Sequence, residues 1–171
     1  MKGYLQVYTG PGKGKTTAAI GLAVRAAGAG LKVYFTQFIK GGEYSEIAAL
    51  TRFQDLIIVE QFGLGRFIKG EPSAEDIRAA KQGLEKIKKI IASGRYDVVI
   101  LDEANVAVGC GLFSIDDLLE IVEKRAAATE LVITGRNAAP ELLARADLVT
   151  EMREMKHYFA QGVQARTGIE K

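Results

Sequence analysis

Ten residues into the chain, a glycine-rich run separates two segments of different periodicity: Thr9-Gly10-Pro11-Gly12-Lys13-Gly14-Lys15-Thr16-Thr17. Gly3–Thr9 before it alternates apolar and polar residues, the period-two pattern of a strand. Lys15–Ala27 after it is rich in Ala, Ile, Leu and Val, as a buried helix is. A strand that turns through glycines into a helix commits the chain to a βα unit, and so to a parallel sheet. Such a loop lets successive backbone N–H groups point into one concavity, where they cradle phosphate oxygens. Lys15 adds a point charge, Thr16 offers a hydroxyl to Mg²⁺, and the helix presents its positive dipole end.

The full phosphate-loop pattern is G-x-x-x-x-G-K-[ST]. Gly10 and Gly14 are four apart, so with Gly10 first the loop is one residue short. With Thr9 first the length fits and the glycine is missing. The strand–loop–helix context favours a phosphate site over a plain glycine-rich turn.

A partner motif lies downstream. Val98-Val99-Ile100-Leu101 is an apolar strand that ends in Asp102-Glu103. Open α/β sheets bind ligands at the carboxyl ends of their strands. Asp102 and Glu103 are therefore candidate Mg²⁺ ligands with Thr16, since this ion takes oxygen donors. An ordinary strand end with solvated acids is the plainer alternative.

Further strands are expected at Tyr4–Thr9, Lys32–Gln37, Leu56–Glu60, Glu130–Thr134 and Leu148–Glu151, with helices between most of them. The clearest helix starts at Ala74. Ser73 and Asp76 form a capping-box variant before it, and Ile77, Ala80, Leu84, Ile87 and Ile91 share one face. Lys81, Lys86, Lys88 and Lys89 read as its solvated face rather than a binding patch. Ser114 and Asp117 repeat the start signal. The fold expected is a three-layer α/β sandwich of the P-loop NTPase (RecA-like) class, with a mostly parallel central sheet, in one domain over 1–171.

Bulk composition removes other classes. Twenty-three basic against 21 acidic residues leave a net charge of +2, which argues against a general nucleic-acid or membrane surface. The lone Cys110 excludes an internal disulfide and any cysteine-based zinc site. No run approaches a membrane span and no signal peptide is evident, so a cytoplasmic protein is expected. His157, the one histidine, reads as structural. Two stretches lack regular signals: Gln61–Ser73, with Phe62, Leu64, Phe67 and Ile68 among glycines, and the tail from Met155. Long irregular segments are often functional, though apolar loop residues equally plug a core.

Taken together, these blocks resemble the P-loop type ATP:corrinoid (cob(I)alamin) adenosyltransferases. The resemblance is carried by Gly10–Ala19, Gln37-Phe38-Ile39-Lys40-Gly41, Val99-Ile100-Leu101-Asp102-Glu103 and Val132-Ile133-Thr134-Gly135-Arg136. It continues through Lys156-His157 and Gly162-Val163-Gln164-Ala165-Arg166-Thr167-Gly168-Ile169-Glu170, and so spans essentially the whole chain. The shortened loop is then a family trait.

The resemblance implies that cobalt(I) of a corrinoid attacks the 5′ carbon of ATP and releases triphosphate. The nucleotide would lie in a reversed sense that exposes this carbon. Gly12, Lys13, Gly14, Lys15, Thr16 and Thr17 would bind triphosphate, with Lys15, Thr16 and Glu103 at the centre of the chemistry. Arg25 would lie near the nucleoside and Arg136 near phosphate or corrin. Phe67, with Phe62 as second candidate, would wedge under the corrin in a chain that lacks Trp. The resemblance further implies a reduced flavoprotein donor and a homodimer. The preferred corrinoid stays open. Read from the motifs alone, a P-loop kinase, an ATPase or a nucleotide switch remain alternatives, and all of them would release ADP.

Overall fold

The computed structural model describes residues 2–42, 44–65, 68 and 70–170. Among the described residues six strands and six helices follow one another, alternating except where α5 follows α4: β1 (Leu5–Thr9), α1 (Lys15–Gly28), β2 (Val33–Gln37), α2 (Ser45–Leu50), β3 (Ile57–Gln61) and α3 (Ala74–Ser93), then β4 (Val98–Asp102), α4 (Ala104–Gly109), α5 (Ile115–Lys124), β5 (Glu130–Thr134), α6 (Pro140–Arg145) and β6 (Leu148–Glu151). Short 3-10 turns lie at Thr51–Phe53 and Tyr158–Gln161. Each strand expected from sequence forms, displaced by one residue at most.

The strands make one sheet in the order β3-β2-β4-β5-β1-β6, and every pairing is parallel. Parallel sheets are covered on both faces, so their strands read as apolar runs. β2 and β4 are buried throughout. Alternate residues feed two separate cores. Leu5, Val7, Tyr34, Val99, Leu101, Leu131 and Ile133 pack beneath α3, α4, α5 and α6. Val33, Phe35, Val98, Ile100 and Val132 pack with Ala19, Ala23, Ala26 and Ala27 of α1 on the other face. The alanine stripe lets α1 lie close on the sheet. Helices on both faces make this the expected three-layer P-loop architecture.

Capping decides where two helices begin. Ser73 accepts the Asp76 amide, and Asp76 accepts the Ser73 amide at 3.0 Å. Ser114 and Asp117 repeat the reciprocal pair. Such caps stabilise a helix by about 1 kcal/mol each. α3 buries Ala80, Leu84, Ile87 and Ile91, with Ile77 half-buried, as its period requires. Lys81, Lys86 and Lys89 are exposed. Lys88 is tied to Glu120 of α5 at 2.6 Å.

Candidate nucleotide site

The order of the strands places the carboxyl ends of β2, β4, β5 and β1 side by side. The residues just beyond those ends line a cleft of about 640 Å³. Gly12–Thr17 form one wall, Lys40, Glu103 and Arg136 another, and His157 and Gly168–Glu170 of the tail a third.

The loop between β1 and α1 has its unusual glycines for steric reasons. Gly10 and Gly14 are left-handed, at φ 95° and 116°. Gly12 lies against the chain leaving β6: its N–H donates to Met152 O at 2.7 Å, and a Cβ there would sit 2.8 Å from that oxygen. The shortened loop is thus packed on the segment after β6. Lys15 is folded back over it, donating from Nζ to Gly10 O at 2.8 Å and Gly12 O at 2.6 Å. Burial lowers its pKa, and the charge of Arg136 lowers it further.

Asp102 is fully buried at the end of β4. Its Oδ1 accepts from Thr16 Oγ1 at 2.9 Å and from Thr134 Oγ1 at 2.7 Å. Its Oδ2 accepts from Gln37 Nε2 at 3.1 Å and is 3.5 Å from Lys40 Nζ. Glu103 is left-handed, at φ 61°, and its amide donates to Thr134 Oγ1 at 3.0 Å. Burial raises the pKa of its carboxyl, and the neighbouring Asp102 charge adds to this. Lys40, Lys15 and Arg136 pull it back. One buried carboxylate, one raised carboxylate and a hydroxyl make a hard-oxygen set suited to Mg²⁺. Among the described residues no three His, Cys, Asp or Glu side chains converge as a protein-only cage. A small cation that keeps water and phosphate oxygens requires none.

Lys13 points to the tail. Its Nζ donates to Glu170 Oε1 at 2.9 Å, Tyr158 Oη at 3.1 Å and Ile169 O at 3.2 Å. Tyr158 also donates to Glu170, and Arg166 grips the same carboxylate from Nη2 at 3.0 Å and Nε at 3.2 Å. These partners, Arg166 first, hold the Glu170 carboxyl well below the usual range. The tail therefore closes on the phosphate loop.

Gly12, Lys13, Gly14, Lys15, Thr16, Thr17, Glu103 and Arg136 all line the cleft, and Asp102 braces it from beneath. Arg136 is exposed and has no ion-pair partner among the described residues. Arg25 is not brought to the cleft. It lies in the last turn of α1, ten residues and so about 15 Å along the helix from Lys15, and is exposed. Phe67 lies outside the described residues. Phe62 stacks on Phe38 at 5.8 Å between ring centroids and packs against the core. His157 lines the cleft, and its Nδ1 accepts the Phe159 amide, capping a 3-10 turn. Gln37, Thr134, Tyr158 and Glu170 gain their places only here. The signal for the first two was a polar residue at the carboxyl end of a largely buried strand.

Residues 1–170 match the family model described as ATP:corrinoid adenosyltransferase BtuR/CobO/CobP. The chain belongs to the corrinoid adenosyltransferase family. It is 36% identical over 170 residues to the corrinoid adenosyltransferase of Pseudomonas aeruginosa, covering 99% of this chain and 84% of that one. It is 34% identical over 174 residues to the corrinoid adenosyltransferase of Escherichia coli K12, covering 99% and 86%. The flagellar accessory protein FlaH of Methanocaldococcus jannaschii superposes with a TM-score of 0.61 at 14% identity, over 88% of this chain and 71% of that one. That likeness shows the fold alone. Corrinoid adenosyltransferases are transferases that move the adenosyl group of ATP to cob(I)alamin in cobalamin biosynthesis. Among the described residues no helix is long and apolar enough to cross a membrane.

Proposed function

We propose that the cleft binds Mg-ATP with its triphosphate on Gly12–Thr17 and presents the 5′ carbon to the cobalt of a bound corrinoid. The observation that carries this is the convergence of Lys15, Thr16 and Asp102 at the head of α1, with Thr16 Oγ1 2.9 Å from the carboxylate. In the reaction, the electron pair of cobalt(I) forms the Co–C bond. The C5′–O5′ bond breaks, and its pair leaves on the triphosphate oxygen. Cobalt ends formally at +3.

Cobalt(I) is already a strong nucleophile, so the chain's task lies at the leaving group. Loop N–H groups and the α1 dipole face the triphosphate, and Lys15 turns from the loop carbonyls onto it. Lys13 and Arg136 flank the same charge. Thr16, Glu103 and Asp102 would hold Mg²⁺, which supplies further neutralisation of the triphosphate. None of these groups needs to move a proton.

The full chain acts as one such domain, in the cytoplasm, with a reduced flavoprotein as electron donor. Phe67 and Arg25 are assigned from the family resemblance, to the corrin and the nucleoside. Pairing into a homodimer is supported by exposed apolar side chains on β6 and the tail: Leu148, Val149, Met155, Phe159 and Ile169. Light scattering at micromolar concentration tests it, and a monomer would count against it.

An anaerobic assay tests the reaction. The protein is mixed in the dark with Mg-ATP and chemically reduced cob(I)alamin, and the phosphate product is identified. A light-sensitive adenosylcorrinoid with stoichiometric triphosphate is expected. Unchanged corrinoid with ADP appearing would replace this reading by a kinase or ATPase.

A further inference from the structure

Lys40 sits where a cation belongs. Its Nζ is 3.4 Å from Thr16 Oγ1, 3.5 Å from Asp102 Oδ2 and 3.9 Å from Glu46 Oε1, and 5.9 Å from the centre of the Tyr44 ring. Two of these oxygens are ones assigned above to Mg²⁺. The side chain is 25% exposed, so it is neither a free surface lysine nor a sealed ion-pair partner.

The backbone around it is held in an unusual conformation. Ile39 is left-handed at φ 67°, an outlier for a β-branched residue. Strain of this kind persists where surrounding structure enforces it, and it clusters at functional sites. The enforcement is visible. A Cβ on Gly41 would lie 2.3 Å from Gly63 O, and one on Gly63 would lie 2.2 Å from Ile39 O, so two loops meet backbone to backbone. A hydrogen-bond chain then ties the Lys40 loop to the carboxylate itself. The Gly42 amide donates to Gln61 Oε1 at 3.1 Å, Gln61 Nε2 to Gln37 Oε1 at 3.0 Å, and Gln37 Nε2 to Asp102 Oδ2 at 3.1 Å. A lysine needed only for solubility would require none of this. A lysine needed only to neutralise Asp102 would not need to line the nucleotide cleft, as Lys40 does.

We propose that Lys40 is a further leaving-group lysine that exchanges places with the divalent cation. Without nucleotide, its ammonium neutralises the Thr16–Asp102 pair. When Mg-ATP enters, Thr16 and Asp102 would hold the metal, and the flexible lysine turns onto the triphosphate. There it donates N–H bonds to oxygens that gain charge as C5′–O5′ breaks, and it forms no covalent bond. The proposal rests on the adenosyl-transfer reading of the cleft.

The test compares wild type, Lys40→Met and Lys40→Arg in two binding measurements. Calorimetry with inorganic tripolyphosphate at saturating Mg²⁺ reads the leaving-group contact. Electron paramagnetic resonance of Mn²⁺ added to the nucleotide-free protein reads the exchange. Lys40→Met should weaken tripolyphosphate binding roughly tenfold or more, the loss of a charge-assisted hydrogen bond. Lys40→Arg should recover most of it. Nucleotide-free Lys40→Met should bind Mn²⁺ more tightly than wild type, because the resident cation is gone. Unchanged tripolyphosphate affinity in Lys40→Met would overturn the leaving-group role, and unchanged Mn²⁺ affinity would overturn the exchange. A wild-type protein that ignores tripolyphosphate would instead overturn the underlying reading of the cleft. Thermal melting of the free variants separates these outcomes from misfolding.

Discussion

Thr134 binds two successive residues of another strand end at once: its hydroxyl donates to Asp102 Oδ1 at 2.7 Å and accepts the Glu103 amide at 3.0 Å. One side chain on β5 therefore sets both carboxylate positions at the end of β4. Thr134→Val keeps the shape and removes both bonds. It leaves a buried amide without this partner and a buried carboxylate short of a donor. We expect a loss of about 1–3 kcal/mol in urea unfolding. The KM for Mg-ATP should rise as well, checked by initial rates at varied ATP. A variant with wild-type stability and KM would mean that Asp102 and Glu103 are positioned without this hydroxyl.

Lys15→Ala should abolish turnover with little effect on the fold. The ammonium is held by two loop carbonyls, so its loss should cost about 1 kcal/mol of stability. Loss of charge at the leaving group should lower the rate by at least about 10²-fold. Adenosylcorrinoid formation under anaerobic conditions measures it, and normal turnover would refute the site.

Glu103 gives a pH signature in the empty protein. Burial raises its folded pKa above the unfolded one, so the native state binds the proton more tightly. The stability it contributes is complete below the unfolded value, roughly pH 4.3, and is lost as pH rises through the folded one. Glu103→Gln should therefore be more stable than wild type at neutral pH, with the gap closing in acid. Turnover should fall about 10²-fold or more. Melting temperatures from pH 4 to 8 check the first part, and a constant gap across that range would refute it.

The two phenylalanines of the 61–73 stretch should separate cleanly. Phe62 presses on α3 so closely that a Cβ on Gly83 would sit 2.4 Å from its ring. Phe62→Ala should cost about 2 kcal/mol of stability. It should lower rates from cobalt(II) and cobalt(I) alike. Phe67→Ala should instead spare the reaction of pre-reduced cobalt(I) and impair that starting from cobalt(II). Equal losses in Phe67→Ala would mean that it only packs the loop.

Local chemistry explains why so much was legible beforehand. β4 and β5 fall on their apolar runs, because a strand buried on both faces is apolar along most of its length. Ser73 and Ser114 mark helix starts, because a side chain three residues from its partner amide needs no distant help. The phosphate loop is legible because its glycines answer to its own φ angles. Where Arg25 stands relative to the loop was not legible, because a block in sequence says nothing of distance along a helix, and ten residues carry it about 15 Å from Lys15.

The sequence by itself determined the order of elements, the phosphate loop, the acidic strand end and, through its blocks, the family. These depend on period, turn chemistry and short motifs, all set by neighbours in the chain. Only the tertiary structure decided that β2, β4 and β5 lie adjacent, so that Gln37, Asp102 and Thr134 share one carboxylate. It also decided that Lys40 rests on Thr16, and that Glu170 reaches Lys13 across 157 positions. Those contacts depend on which strands pair and how two loops pack, and no local pattern encodes a partner so far along the chain.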